Sequence, residues 1–85
     1  MNLVYSKHSI EQIKLRELDQ GIIERVLKNP DQVIKHEVNS SFFQKLVSEG
    51  NKQYLYRVLV NTQKQPQMVI TAYKTSKIEK YENQV

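Results

Sequence analysis

Phe42-Phe-Gln-Lys-Leu-Val-Ser-Glu-Gly-Asn-Lys-Gln-Tyr-Leu-Tyr-Arg-Val-Leu-Val60 is the stretch on which the fold turns. Two runs of aromatic and branched apolar residues flank Glu49-Gly50-Asn51-Lys52. Gly50 and Asn51 both accept positive φ, so the pattern predicts a tight hairpin joining strands over 42–48 and 53–60. Its register sets Gln44 opposite Arg57, Leu46 opposite Leu55 and Phe42 opposite Leu59. The second strand is too apolar for a sheet edge.

Downstream, the loop Asn61–Gln67 with Pro66 leads to a further strand over about Met68–Lys74. Centring that connection on Lys64 places Thr71 opposite Arg57, Tyr73 opposite Leu55 and Val69 opposite Leu59. One sheet face then carries Phe43, Val47, Tyr54, Tyr56, Val58, Val60, Met68, Ile70 and Ala72, with Lys45 the exception. The other face carries a polar row, Gln44–Arg57–Thr71, flanked by leucines, with Tyr73 diagonal to Arg57. Ser76–Tyr81 can form a short helical turn, and the tail beyond it is expected to fray.

Upstream, Val33–Val38 reads as a weaker strand. Two helical periods precede it. The first runs from about Lys7 to Leu18 behind Ser6 as N-cap; the second runs from about Gln20 to Lys28 behind Asp19 and stops at Asn29-Pro30. The expected fold is α+β: two N-terminal helices packed on a four-stranded antiparallel sheet (ααββββ), one domain over residues 1–85.

Composition narrows the function classes. An 85-residue chain without cysteine has no disulfide, thiolate metal site or cysteine nucleophile. No apolar run approaches the ~18–20 residues of a membrane span, and the start lacks the blocks of a signal peptide, so a cytoplasmic protein without membrane contact is expected. The net charge of +4 is unevenly placed. Lys/Arg and Asp/Glu balance over residues 1–50, whereas Lys52, Arg57, Lys64, Lys74, Lys77 and Lys80 face only Glu79 and Glu82 afterwards. Such a bias suits a polyanion, and equally a solvated lysine-rich tail.

Arg57, inside the most apolar strand, is the residue least at home in its surroundings. Burying it unpaired would cost several kcal/mol, so it needs a carboxylate such as Glu37 or Glu49, an anionic ligand, or an exit to water. His8, in the first turn of helix 1, can act as acid or base near neutral pH, or simply decorate the surface. His36 stands without acidic or histidine company at ligand spacing and reads as structural. Neither histidine belongs to a legible metal site, and no cofactor is expected. Thr71 and Tyr73 are ordinary strand residues. Tyr5, Tyr54, Tyr56 and Tyr81 read as packing residues. No phosphate-cradling glycine loop or nucleophile elbow occurs. Metal-free phosphodiester cleavage survives this elimination, because it needs a proton-transfer group and cations around the phosphate.

Tyr5-Ser-Lys-His8, Arg16, the apolar helix ending in Asn29-Pro30, Tyr56-Arg57-Val58 and Val69-Ile-Thr71-Ala-Tyr73 together resemble the DUF4258 family. That family is placed among the small toxin-type RNases of barnase–EndoU–colicin–RelE-like fold, and the resemblance covers roughly residues 4–81. It implies a metal-independent endoribonuclease. His8 would take the ribose 2′-hydroxyl proton or protonate the leaving 5′-oxygen, and Arg57 would hold the phosphate. Tyr73 would donate a proton or orient the phosphate, with Thr71 hydrogen-bonding to it. Lys74, Lys77, Lys80 and Arg16 would bind the RNA backbone, free or ribosome-bound. An antitoxin partner is implied as well. Relatives often carry an arginine four residues after the histidine; this chain has Gln12 there, and Ser9 at the usual small position. Two other readings stay open: a catalytically silent module docking a protein partner through the leucine-flanked face, and a passive RNA binder with steeply salt-dependent affinity.

Overall fold

The computed structural model of the chain describes residues 3–82. Its elements run β1 (Leu3–Tyr5), α1 (Lys7–Leu15), α2 (Gln20–Lys28), β2 (Gln32–Glu37), β3 (Ser40–Glu49), β4 (Lys52–Asn61), β5 (Gln67–Thr75) and α3 (Ile78–Glu82). The expected hairpin is present. Glu49 pairs with Lys52 across Gly50-Asn51, and Gln44–Arg57, Leu46–Leu55 and Phe42–Leu59 are opposed as the sequence requires. Only Gly50 takes positive φ (+63°) in that turn.

The sheet itself corrects the expectation of four antiparallel strands. It has five, in the order β1-β5-β4-β3-β2, and β1 runs parallel to β5. Leu3–Tyr5 is too short to show a period of two. Its pairing with Gln67–Val69 is made across almost the whole chain, so no local pattern announces it.

The β4–β5 register is also corrected. Arg57 lies opposite Tyr73, Leu55 opposite Thr75 and Leu59 opposite Thr71; a bulge then sets Val60 opposite Val69. The extra residue of the bulge flips the alternation beyond it. Val69 is therefore a core residue, fully buried, while Met68 and Ile70 are half-buried. The tail beyond Glu82, expected to fray, lies outside the described residues.

The helices cover the face bearing Tyr56, Val58, Val60, Val69 and Ala72. Burial of Ile23, Val26 and Leu27 fastens α2 to it, each side chain contributing about 1.5–3 kcal/mol. The Asp19 carboxylate accepts from the Ile22 amide (3.1 Å) and caps that helix. In α1 the Ser6 hydroxyl accepts from the Ser9 amide (3.0 Å) and donates to the Ile70 carbonyl (3.2 Å), tying the helix start to β5. Ser9 itself is wholly buried, so the small side chain at this position lets the helix approach the sheet.

Helix α1 stops at Leu15, earlier than the sequence period suggests. Glu17 adopts φ +52°, with Glu17 N–H donating to Lys14 O (3.1 Å) and Leu18 N–H to Ile13 O (2.9 Å). These two bonds make a Schellman motif, and the buried pair Ile13 and Leu18 closes it. Both face choices that matter for function follow: the helices take one side of the sheet, and Arg57 looks out from the other.

Candidate functional site

On the sheet face away from α1 and α2, the side chains of Gln44, Arg57 and Tyr73 form a row across β3, β4 and β5. Arg57 Nε donates to Gln44 Oε1 (3.0 Å) and Nη1 donates to the Tyr73 hydroxyl (2.7 Å). Gln44 in turn donates to Gln32 Oε1 on β2. The guanidinium lies between two aromatic rings, its Cζ 4.0 Å from the centroid of Phe42 and 4.3 Å from that of Tyr81. Stacking and cation–π attraction both favour this placement. Arg57 is only 5% exposed.

Neither carboxylate considered for Arg57 is its partner. Glu37 stands 3.5 Å from His36 Nε2, and Glu49 belongs to the opposite face. Every hydrogen-bond partner of Arg57 among the described residues is neutral. Two of its five N–H groups are taken by Gln44 and Tyr73; the others have no partner among the described residues.

Tyr73 stands between two guanidinium groups, with Arg57 Cζ 5.8 Å and Arg16 Cζ 6.0 Å from its ring centroid. Arg16, at the end of α1, donates to the Ala72 carbonyl (2.7 Å) on the stretch of β5 that β1 leaves uncovered. Burial pushes the Tyr73 hydroxyl above the usual tyrosine range; the Arg57 charge and hydrogen bond pull the other way, and Tyr81 adds to the rise. Tyr73 is therefore protonated at neutral pH, with its oxygen accepting from Arg57 and its hydroxyl next to that of Tyr81. Thr71 shares the face two residues away, opposite Leu59.

The other expected site residues are dispersed. His8 is exposed on the first turn of α1 and makes no hydrogen bond to Arg57, Tyr73 or Thr71 among the described residues. It shares a helix stripe with Gln12 and Arg16 by their four-residue spacing, the stripe from which Arg16 reaches β5. Lys77 and Lys80 are exposed, Lys80 Nζ lying 5.5 Å from the Tyr81 ring centroid.

Lys74 is on the helix-covered face, its Nζ 2.9 Å from Glu49 Oε1 and 4.5 Å from the Tyr54 ring centroid. The Tyr56 hydroxyl donates to the same carboxylate oxygen (2.6 Å). These bonds hold the Glu49 carboxyl below its ordinary value near 4.5, the Tyr56 bond acting most strongly. A carboxyl lowered on folding adds stability above its unfolded value, and that stability disappears as pH falls through the folded value. Glu49→Gln is accordingly expected to be less stable than wild type at neutral pH, with the gap closing below about pH 4. Urea midpoints measured from about pH 7 to pH 3 check this; parallel curves would contradict the sign.

Two clefts of about 390 and 310 Å³ flank Tyr5 on the helix side, the first lined by Ile10, Ile13 and Leu18, the second by Leu3 and Leu27. No group of three or more potential metal-ligating side chains forms among the described residues. No described helix is long and apolar enough to cross a membrane.

The structure also brings in Phe42 and Tyr81, which a reading of Tyr81 as a packing residue misses. Its position on Arg57 depends on a chain reversal after β5, and the only available signal was an aromatic residue a few positions beyond the last strand. His36, on the β2 bulge, sits edge-on to Phe42 with ring centroids 5.1 Å apart.

Fold and site together define a small α+β protein whose mixed five-stranded sheet carries, on the face away from its two N-terminal helices, a guanidinium whose partners among the described residues are neutral. The chain belongs to the DUF4258 family, a domain of unknown function, whose model matches residues 5–74. No curated protein and no solved structure matches the chain.

Proposed function

We propose that the Arg57 face is a phosphate site and that the protein is a metal-independent endoribonuclease of the toxin type, acting on RNA in the cytoplasm. One observation carries this reading: a nearly buried guanidinium, held in place by Gln44 and Tyr73, has no carboxylate partner among the described side chains. Among the described residues no anion meets this group, and a phosphate would supply one.

In this reading Arg57 binds a non-bridging phosphate oxygen and offsets the charge that builds as the ribose 2′-oxygen attacks phosphorus. The P–O5′ bond breaks as the P–O2′ bond forms, leaving a 2′,3′-cyclic phosphate and a 5′-hydroxyl. Tyr73, protonated at neutral pH, donates to the phosphate or to the leaving 5′-oxygen, and Thr71 hydrogen-bonds beside it. His8 takes the 2′-proton from the α1 side. Arg16, Lys77 and Lys80 hold the backbone of the strand, and ribosome-bound RNA and an antitoxin are the expected partners. Lys74, committed to Glu49, has a weaker part.

A silent interaction module is the second reading, and the slight exposure of Arg57 beneath Tyr81 favours it. Incubation with RNA in EDTA separates the two. Cyclic phosphate ends that appear with wild type and vanish with Tyr73→Phe and with His8→Ala support the nuclease. Intact free and ribosome-bound RNA, together with stoichiometric capture of an acidic partner protein, would leave the module.

A further inference from the structure

We propose that the Tyr81 ring occupies a nucleobase subsite: a slot against the Arg57 guanidinium that takes the base of an unpaired nucleotide once the C-terminal turn swings aside. The inference rests on the reading of this face as a phosphate site, and it supplies what that reading lacks, a way in to Arg57.

The two rings on the guanidinium are held very differently. Phe42 is fixed inside the sheet, hydrogen-bonded through its strand to both neighbours and opposed by Ile34 and Leu59. Tyr81 stands on a helix of five residues, joined to β5 by the exposed Ser76 and Lys77. No element packs extensively against that helix among the described residues. Arg57 Cζ lies over the Tyr81 ring, 4.3 Å from its centroid, and Tyr81 meets Tyr73 edge-on, ring centroids 6.4 Å apart. A planar ring resting on a guanidinium on one side and bordered by a phenol edge is also the environment that captures a base, because bases stack on arginine planes and on aromatic faces whatever their sequence.

The surrounding charge points to a nucleotide rather than to another aromatic ligand. With Tyr81 displaced, the slot opens beside the Arg57 N–H groups that have no partner among the described residues and beside the hydroxyl of Tyr73, with the Arg16 guanidinium 6.0 Å from the centroid of the Tyr73 ring. Two cations about a phenol, next to a flat stacking surface, match a base and its own phosphate. A base inside a duplex cannot enter such a slot, so the substrate class is single-stranded or unpaired RNA.

Binding of a 2′-deoxy tetranucleotide, which lacks the attacking hydroxyl, tests this without relying on cleavage. Its affinity is measured for the full chain, for Tyr81→Ala and for Tyr81→Leu, with an abasic tetranucleotide and inorganic pyrophosphate as companions. Removing the resident ring is expected to tighten the base-bearing ligand about tenfold and to leave pyrophosphate and the abasic ligand nearly unchanged. Tyr81→Leu, which keeps an apolar cover without a stacking plane, is expected to show most of the gain, and circular dichroism confirms that both variants fold. Arg57→Lys in the Tyr81→Ala background is expected to abolish the preference for a base. Unchanged or weaker binding in both Tyr81 variants, or equal binding of base-bearing and abasic ligands, would overturn the subsite while leaving the phosphate site standing. No binding of any ligand, pyrophosphate included, would overturn both. Displacement of the tetranucleotide by a phosphate-free tryptophan dipeptide at equal concentration would assign the slot to a protein partner and refute the nucleotide.

Discussion

Arg57→Ala is expected to lower cleavage about 10²–10³-fold and to destabilise the fold by roughly 3 kcal/mol. The two effects share a cause. The guanidinium is what Gln44 Oε1 and the Tyr73 hydroxyl bond to, and it packs against the rings of Phe42 and Tyr81. Alanine leaves an unsatisfied amide oxygen in a nearly closed row together with a gap between two rings. Arg57→Lys separates chemistry from stability. It keeps a positive charge and most of the stem, but it loses the fork that serves Gln44 and Tyr73 together and the plane that stacks. Its unfolding free energy is expected to fall less than that of the alanine variant, while single-turnover cleavage still drops tenfold or more, on the order seen for the loss of one charge-assisted contact. Urea unfolding and cleavage corrected for the native fraction provide the measurement. Full activity in Arg57→Lys would remove the guanidinium geometry from the mechanism.

Tyr56→Ala is expected to be the most damaging substitution on the other face, costing about 3–5 kcal/mol. Tyr56 is fully buried beneath the helices, in the core with Val58, Val60 and Ile23, and its hydroxyl is bonded to Glu49. A chain of this length has only about 5–10 kcal/mol of net stability to lose, so much of that variant is expected to be unfolded at physiological temperature. Tyr56→Phe removes the hydroxyl alone and should cost about 1 kcal/mol, with cleavage per folded molecule unchanged. Denaturant unfolding gives the first quantity and a cleavage assay the second. Loss of cleavage in Tyr56→Phe at nearly unchanged stability would place the chemistry on the helix-covered face, against the assignment to Arg57.

The contrast between Tyr56 and Arg57, adjacent residues facing opposite ways, is the point on which the reading of this protein depends. Alternation along β4 tells which residues share a face, and it does so from the sequence alone. The hairpin turn at Gly50-Asn51 then carries that alternation into β3, so the pairing of Gln44 with Arg57 is legible in the amino-acid pattern. Past the longer connection after β4, the reading weakens. The loop does not fix how many residues it consumes, and the bulge opposite Leu59 and Val60 inverts the faces of Met68, Val69 and Ile70. Tyr73 consequently becomes the direct neighbour of Arg57 rather than a diagonal one, which improves the site that the sequence sketched.

Lys74 shows the same principle in reverse. As one of a C-terminal group of lysines it looks like a companion of Lys77 and Lys80, yet its strand position points it towards Tyr54 and Glu49. Charge counted along the chain does not distinguish the two faces of a strand; only the register does. The short strand Leu3–Tyr5 fails for a different reason, since three residues carry no usable period and their partner lies at the far end of the chain.

The amino-acid sequence by itself determined the caps at Ser6 and Asp19, the stop before Pro30, the hairpin and the faces of β3 and β4, because each depends on interactions between residues close together in the chain. Only the tertiary structure decided that a fifth strand joins β5 in parallel, that the helices cover the Tyr56 face, and that Tyr81 returns to lie on Arg57. Those outcomes are set by packing between distant segments, where the free energy depends on how whole surfaces fit together and no local pattern records the result.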